Sequence, residues 1–199
     1  MADWVLAAER AYVAAAVGGA VPGSAAPAGL TASARQAHAV AAAGAVASRF
    51  LAVGTPRSFG LVIDDASDAE TAALSLAAHR TWFAPRDIRC AATSPGGAAE
   101  LATATAGRAV SVDEALACDI VNVYASQLRI TPRQLRRGTH VNAATAGILD
   151  PELLALATVV HEAGLPALAA GFIDGRQLDE LTIFVIDGAP IAAAAMWRV

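Results

Sequence analysis

The sequence predicts an α/β protein built on a doubly wound, mostly parallel sheet, with extra helices at the N- and C-terminal ends. Three observations predict it. Short apolar runs of β type recur from residue 58 onward. Helical stretches separate them. The chain before residue 58 has helical periodicity and no strand-like run. Strands alternating with helices pair in parallel, and a parallel sheet needs helices on both faces.

The elements follow in order. Residues 2–17 form a helix, with Trp4, Val5, Ala8, Tyr12 and Val13 near one face and Asp3, Glu9 and Arg10 away from it. Residues 18–30 are a Gly/Pro/Ser-rich break. Thr31 caps a second helix that runs to about Val53 and is ended by Gly54-Thr55-Pro56. The first strand covers residues 59–64, and a helix over 66–83 stops at Ala84-Pro85. A second strand covers 87–93. Ser94-Pro95 opens the next helix, with proline in its first turn. A weak strand at 108–112 precedes a short helix through Asp113, Glu114 and Leu116. Strands at 119–125 and 138–144 come next. Asp150-Pro151-Glu152 then starts a helix with a capping Asp, a proline and an acid in the first turn. Strands at 158–162 and 181–187 complete the set, and the last feeds a terminal helix ending at Trp197. Right-handed crossovers make this a Rossmann-like sheet. The segments are a helical N-terminal part (1–57), the sheet domain (58–178), and a closing strand and helix (179–199) that pack back on the N-terminal part.

Composition excludes several functions. Of the 199 residues, 56% are hydrophobic, much of it alanine, and only 16% are charged. So few charges suit a subunit that hides surface in a homo-oligomer, in the first place a dimer. The net charge is −4, and the scattered basic residues form no patch for nucleic acid. All 14 basic residues are Arg, so no lysine Schiff base or lysine general base is available. Cys90 and Cys118 sit in apolar runs and read as buried thiols without zinc spacing. No charge-free apolar stretch is long enough to span a membrane. Asp3 and Glu9 at the start argue against a secretory leader, so a cytoplasmic protein is expected.

Several segments carry a family resemblance. GTHVNAATAGILDPEL (138–153) resembles the GTHVNAVG and ELDPEL segments of the ornithine cyclodeaminase/mu-crystallin family. SVDEALACDIVNV (111–123) is similar to the family's run into its fourth strand. LTA (30–32) with VASRFLA (46–52), and DELTIFVIDGAPIAAAA (179–195), resemble its entry helix and closing elements. The resemblance implies a Rossmann domain and, in typical members, NAD(P)-dependent oxidation of amines, reduction of cyclic imines or cyclisation of ornithine. It also implies a longer N-terminal substrate domain, here reduced.

The family's functional positions are altered. Its Gly-x-Gly-x-x-Ala phosphate turn matches residues 61–69, where Asp64 and Ala66 replace the first two glycines and Asp68 replaces a usual Gln. Such a turn needs close backbone approach to a pyrophosphate at a helix N-terminus. The methyl group of Ala66 obstructs it, and Asp64, Asp65 and Asp68 repel phosphate. Each like-charge pair at 4 Å costs about 4 kcal/mol at an effective dielectric of 20. Ala92 and Thr93 stand at the ribose position, and Val123-Tyr124-Ala125 replaces a Thr-rich nucleotide segment. The loop 144–148 lacks the family's catalytic Asp. NAD(P) binding is therefore expected to be lost, and neither cofactor-binding residues nor metal ligands are assigned.

The candidate site residues lie at the carboxyl ends of the strands, where open parallel sheets bind ligands. Asp64, Asp65, Tyr124 and His140 are catalytic candidates. Arg35, His38, Asp68 and Asn142 are candidates for binding a small molecule, with Arg35 following LTA as a substrate-carboxylate Arg does in the family. The acids could make the cleft prefer a cation, an amine or a metal where the family holds phosphates. The plainer alternative is that Asp65 or Ser67 caps the helix and the other acids are solvated. His161 and Glu162 could pair at the sheet edge, and His79-Arg80 reads as a solvated helix face. Trp4, Tyr12 and Trp197 could share a face for self-association. Two main readings stay open: a cofactor-independent enzyme or small-molecule-binding protein of specialised metabolism, and a non-catalytic partner subunit. An atypical NAD(P)-dependent imine reductase or amino-acid dehydrogenase is the third.

Overall fold

The computed structural model describes residues 2–19, 29–172 and 180–196. Seven strands form one sheet: β1 (Ser58–Ile63), β2 (Asp87–Ala92), β3 (Arg108–Ala109), β4 (Ile120–Val123), β5 (His140–Ala143), β6 (Thr158–His161) and β7 (Thr182–Val185). Every pairing is parallel, in the order β3-β2-β1-β4-β5-β7-β6. This is the expected Rossmann-like α/β fold. The final strand is an interior one: β7 enters between β5 and β6 and leaves β6 at the edge.

The helices are α1 (Asp3–Ala16), α2 (Ala32–Leu51), α3 (Ala69–His79), α4 (Gly97–Thr105), α5 (Val112–Leu116), α6 (Pro151–Leu156), α7 (Leu165–Ala169) and α8 (Pro190–Met196). Period-2 alternation along the strands sorts the core into two layers. Val62, Val121, Val123, Val141, Ile183 and Val185 face α5, α6 and the chain between β4 and α6. Phe59, Leu61, Ile63 and Ile120 face α3 and α4, while Phe184 faces α1, α2, α7 and α8. The alanines of α2, from Ala41 to Ala47, are fully buried. Each removes little area from water, but small side chains let α2 lie close on α3 and the sheet. On the other face, a Cβ on Gly60 would fall 2.2 Å from the carbonyl oxygen of Ala115, so α5 can press on β1 only at a glycine.

Caps read from the sequence form as hydrogen bonds. Thr31 accepts from the amide of Ala34, and Asp150 from that of Glu152. Ser111 and Glu114 make a reciprocal capping box. That box explains why the strand expected over 108–112 shrinks to two residues, since Ser111 already belongs to the helix. The helix expected to open at Ser94-Pro95 begins at Gly97 instead. Thr93 and Ser94 donate their amides to the carbonyls of Ile63 and Asp64, which holds the chain extended past β2, and Gly96 makes the turn at φ 88°. The stretch expected as a helix over 66–83 starts as a 3-10 turn, Ala66–Asp68, and its α-helix ends at His79. The expected helix end at Trp197, and with it that residue's place in a shared apolar face, lies outside the described residues. Tyr12 is fully buried and unavailable to such a face.

Among the described residues, no helix is long and apolar enough to cross a membrane. Cys90 and Cys118 are buried and unbridged. Burial pushes the Cys118 thiol up to about 11, so it is inert near neutrality.

Candidate functional site

The switch point of the sheet lies where β1 is flanked by β2 on one side and β4 on the other. The chain leaving β1 carries Asp64 to its rim. One carboxylate oxygen of Asp64 accepts from the amide and hydroxyl of Ser126, both at 2.7 Å. The other accepts from the hydroxyl of Thr93 at 2.9 Å and the amide of Gln127 at 3.4 Å. Burial works against the charge, but these donors outweigh it and hold the carboxyl below its ordinary range. Asp64 thus ties the ends of β1, β2 and β4 together across the mouth of the crevice. Replacing it with alanine should lower the unfolding free energy by about 1 kcal/mol, since the site is partly open to water. Urea denaturation measures this.

Asp65 turns inward on its own loop. It accepts from the amide of Ser67 at 2.8 Å and from its hydroxyl at 2.5 Å, and these bonds lower its pKa. Asp65 therefore caps the 3-10 turn Ala66–Asp68 that leads into α3, rather than α3 itself. Asp68 is partly buried and makes no side-chain cap for α3. The first turn of α4 lies against the same loop: a Cβ on Gly97 would meet the backbone of Asp65 at 3.4 Å and the Ala92 methyl at 2.9 Å. The Ser67 amide at this bend is thus taken by Asp65, and the first turn of α4 closes on the loop.

The remaining candidates do not join Asp64. His140 and Asn142 are fully buried on the face of β5 that meets α2. They belong to a polar chain through the seam between the sheet and two helices. The Thr182 hydroxyl lies 2.9 Å from His140 Nδ1, and His140 Nε2 is 3.0 Å from Asn142 Oδ1. Asn142 Nδ2 donates to Ser48 Oγ at 2.9 Å, and Ser48 Oγ is 2.9 Å from His79 Nε2. His79 Nδ1 meets the carbonyl of Ser75 at 2.7 Å and so carries the proton, leaving Nε2 as the acceptor. His79 was expected on a solvated face and is instead fully buried, with its pKa lowered to about 4 by burial. Tyr124 packs among the apolar residues under α3, and burial pushes its hydroxyl up to about 12; a nearby Ser75 offsets only part of that.

On α2, His38 Nδ1 lies 2.8 Å from the carbonyl of Ala34, and its ring meets Trp4 edge-on at 5.0 Å. Arg35, on the same helix, is exposed. At the sheet edge, His161 and Glu162 do not pair. His161 Nδ1 lies 2.8 Å from Asp187, whereas Glu162 is buried and accepts from the Tyr12 hydroxyl at 2.8 Å. Their alternation along the chain sends the two side chains to opposite sides. Ser126, Thr93, Ser48, Thr182 and Tyr12 were not singled out from the sequence as partners of these groups, because nothing local marks a serine or threonine that meets its partner from a distant element. Among the described residues, no three His, Cys, Asp or Glu side chains gather as a metal site.

Neither a protein-family model nor a curated protein matches this chain. Solved structures do. An archaeal alanine dehydrogenase dimer with bound NAD superposes with a TM-score of 0.79 at 19% identity, over 98% of this chain and 88% of that one. The Δ1-pyrroline-2-carboxylate reductase of Thermococcus litoralis, in complex with NADH and L-proline, gives 0.66 at 18% identity over 81% of this chain and 62% of its own. A lysine cyclodeaminase that recognises L-lysine, L-ornithine and L-2,4-diaminobutyric acid gives 0.61 at 21% identity over 82% and 58%. The chain thus spans about three fifths of the reductase and the cyclodeaminase. With the sheet order, these superpositions establish that the chain has the fold of the ornithine cyclodeaminase/mu-crystallin-like proteins.

Proposed function

We propose that this chain is a non-redox derivative of that fold: a small-molecule-binding protein that works without NAD(P). The observation that carries the reading is the Asp64 carboxylate. It sits at the switch point and takes the Ser126 and Gln127 amides and the Thr93 and Ser126 hydroxyls for itself. An internal anion thus holds donors at the rim where a dinucleotide's phosphates would need them. A second anion there would face a charge already held below its ordinary pKa. The sealing of His140, Asn142 and His79 away from that rim supports a binding role over catalysis by those groups. Isothermal titration with NAD+, NADH and NADPH should give no complex tighter than about 1 mM, a binding energy of only about −4 kcal/mol. A micromolar complex with any of them would remove the reading.

The proposal includes a homodimer. Leu156 and Phe172 are 63% and 66% exposed, and only 16% of the chain is charged, which suits a surface partly covered by a second copy. Light scattering at micromolar concentration should give twice the 20.0 kDa chain mass. Unbridged buried thiols also fit a reducing, cytoplasmic setting.

A further inference from the structure

Asn122 is the odd residue of the sheet. It lies on β4 between Val121 and Val123, in register with Leu61 on one side and Asn142 on the other, and it is fully buried. Apolar β-branched residues are the norm in the centre of a parallel sheet covered on both faces. The Asn122 amide offers two donors and an acceptor, yet neither Nδ2 nor Oδ1 meets any protein partner. The fully buried Ser75 hydroxyl on α3 has no partner at full hydrogen-bond geometry, and the Tyr124 hydroxyl is the protein group near enough to feel it.

These groups face the same seam. Asn122 shares a face of the sheet with Ile120 and, across the register, with Asn142. Ser75 stands one helical turn before His79, and His79 Nε2 lies 3.4 Å from Asn142 Nδ2. A crossover helix runs back against the strands, so that turn carries Ser75 from the level of Asn142 toward the carboxyl end of β4. Its influence on Tyr124, two residues beyond Asn122, fits this placement. Above β5, α2 presents Gly44, where even a Cβ would come within 3.4 Å of the Asn142 side chain. The two unmet atoms of Asn122 thus lie beside a chain of met ones, with Ser75 beside Tyr124 on the same face. Such groups in a native protein are ordinarily satisfied by ordered water.

We propose that the seam between β4, β5, α2 and α3 is an internal water site, in which Asn122 and Ser75 hold water continuous with the Thr182–His140–Asn142–Ser48–His79 chain. Among the described residues, the titratable groups in this hydrogen-bonded chain and beside it are His79, His140 and Tyr124. The guest is therefore small and neutral, and both gives and accepts hydrogen bonds. Asn122 is retained where valine would pack because it anchors that guest. This site is separate from the rim at Asp64, so its test does not depend on the proposed function.

Asn122→Val separates the two possibilities by sign. If water satisfies the amide, the variant strips that water of its partners on β4, and Tm falls by about 5 °C. If the amide is a true orphan, removing it relieves a cost and Tm rises, which overturns the proposal. Water-17O relaxation dispersion on the wild-type protein gives a second reading that needs no fold-tolerant valine variant. It should detect long-lived internal water, and Ser75→Ala should reduce that signal by at least one molecule. An unchanged dispersion in Ser75→Ala, or none in the wild type, overturns it as well.

Discussion

Replacing Glu162 with alanine should lower the unfolding free energy by about 3 kcal/mol, because several buried donors lose their acceptor at about 1–3 kcal/mol each. Glu162 directly follows β6, at the start of a 3-10 turn, and is 2% exposed. One of its oxygens accepts from the Tyr12 hydroxyl at 2.8 Å, the Ile191 amide at 3.0 Å and the Ala192 amide at 3.4 Å. One side chain therefore ties α1 and α8 to the sheet edge. Alanine would leave a buried phenol and two amides without an acceptor, each an unmet desolvation cost. Glu162→Gln keeps an acceptor oxygen and should recover most of the loss, while Tyr12→Phe removes one bond and should cost about 1 kcal/mol. Urea denaturation of the three variants at constant m-value checks the order. An alanine variant within 1 kcal/mol of wild type would show the contact to be dispensable.

The same carboxyl has a pH signature. Burial raises its pKa above the ordinary value of 4.5, against the Tyr12 and backbone hydrogen bonds that lower it. The folded state then holds this proton more tightly than the unfolded state. Its contribution is fully present below pH 4.5 and is lost as pH rises through the raised folded pKa. Glu162→Gln should abolish that component.

The sheet was legible in the sequence because its strands are short β-branched runs bounded by turn residues. Helix starts at Thr31, Ser111 and Asp150 were legible because the caps lie within three residues of the amides they serve. The order of the strands was not, for β7 reaches its place between β5 and β6 by a long-range choice. Asp64 could be identified as an obstacle to phosphate, but its partners stand 29, 62 and 63 residues away, so the clamp itself was hidden. His79 was misread for a different reason. An alanine-rich helix has no strong apolar stripe, so its buried face cannot be told from its solvated one by periodicity. Burial here is set by the close approach of α2, a tertiary effect carried by small residues. His161 and Glu162 show the limit in miniature: adjacency in sequence suggested a pair, while the strand sends one outward to Asp187 and the other inward to Tyr12.

Acid should destabilise the protein through His79. Burial lowers its pKa from 6.5 to about 4, while the hydrogen bond to Ser75 partly opposes the shift. Between those values the unfolded imidazole binds a proton that the folded one refuses. Stability therefore holds above pH 6.5 and declines as pH falls through the folded value of about 4. A shift of that size corresponds to about 3 kcal/mol, at 1.36 kcal/mol for each pKa unit. Protonating Nε2 would turn the acceptor that faces Ser48 into a donor and set it 3.4 Å from the Asn142 Nδ2 donor, while Ser48 keeps its own bond to the Gly44 carbonyl. Glu162 acts in the opposite direction over part of the same interval, so the measurement belongs in a Glu162→Gln background. There, urea midpoints between pH 7 and 4 should fall steeply with His79 present. In the added His79→Gln variant, which cannot take up the proton, that part of the slope should vanish even though the variant is less stable at pH 7. An unchanged slope would mean that His79 is protonated as readily in the folded protein as in the unfolded chain, and that the seam is open to charge.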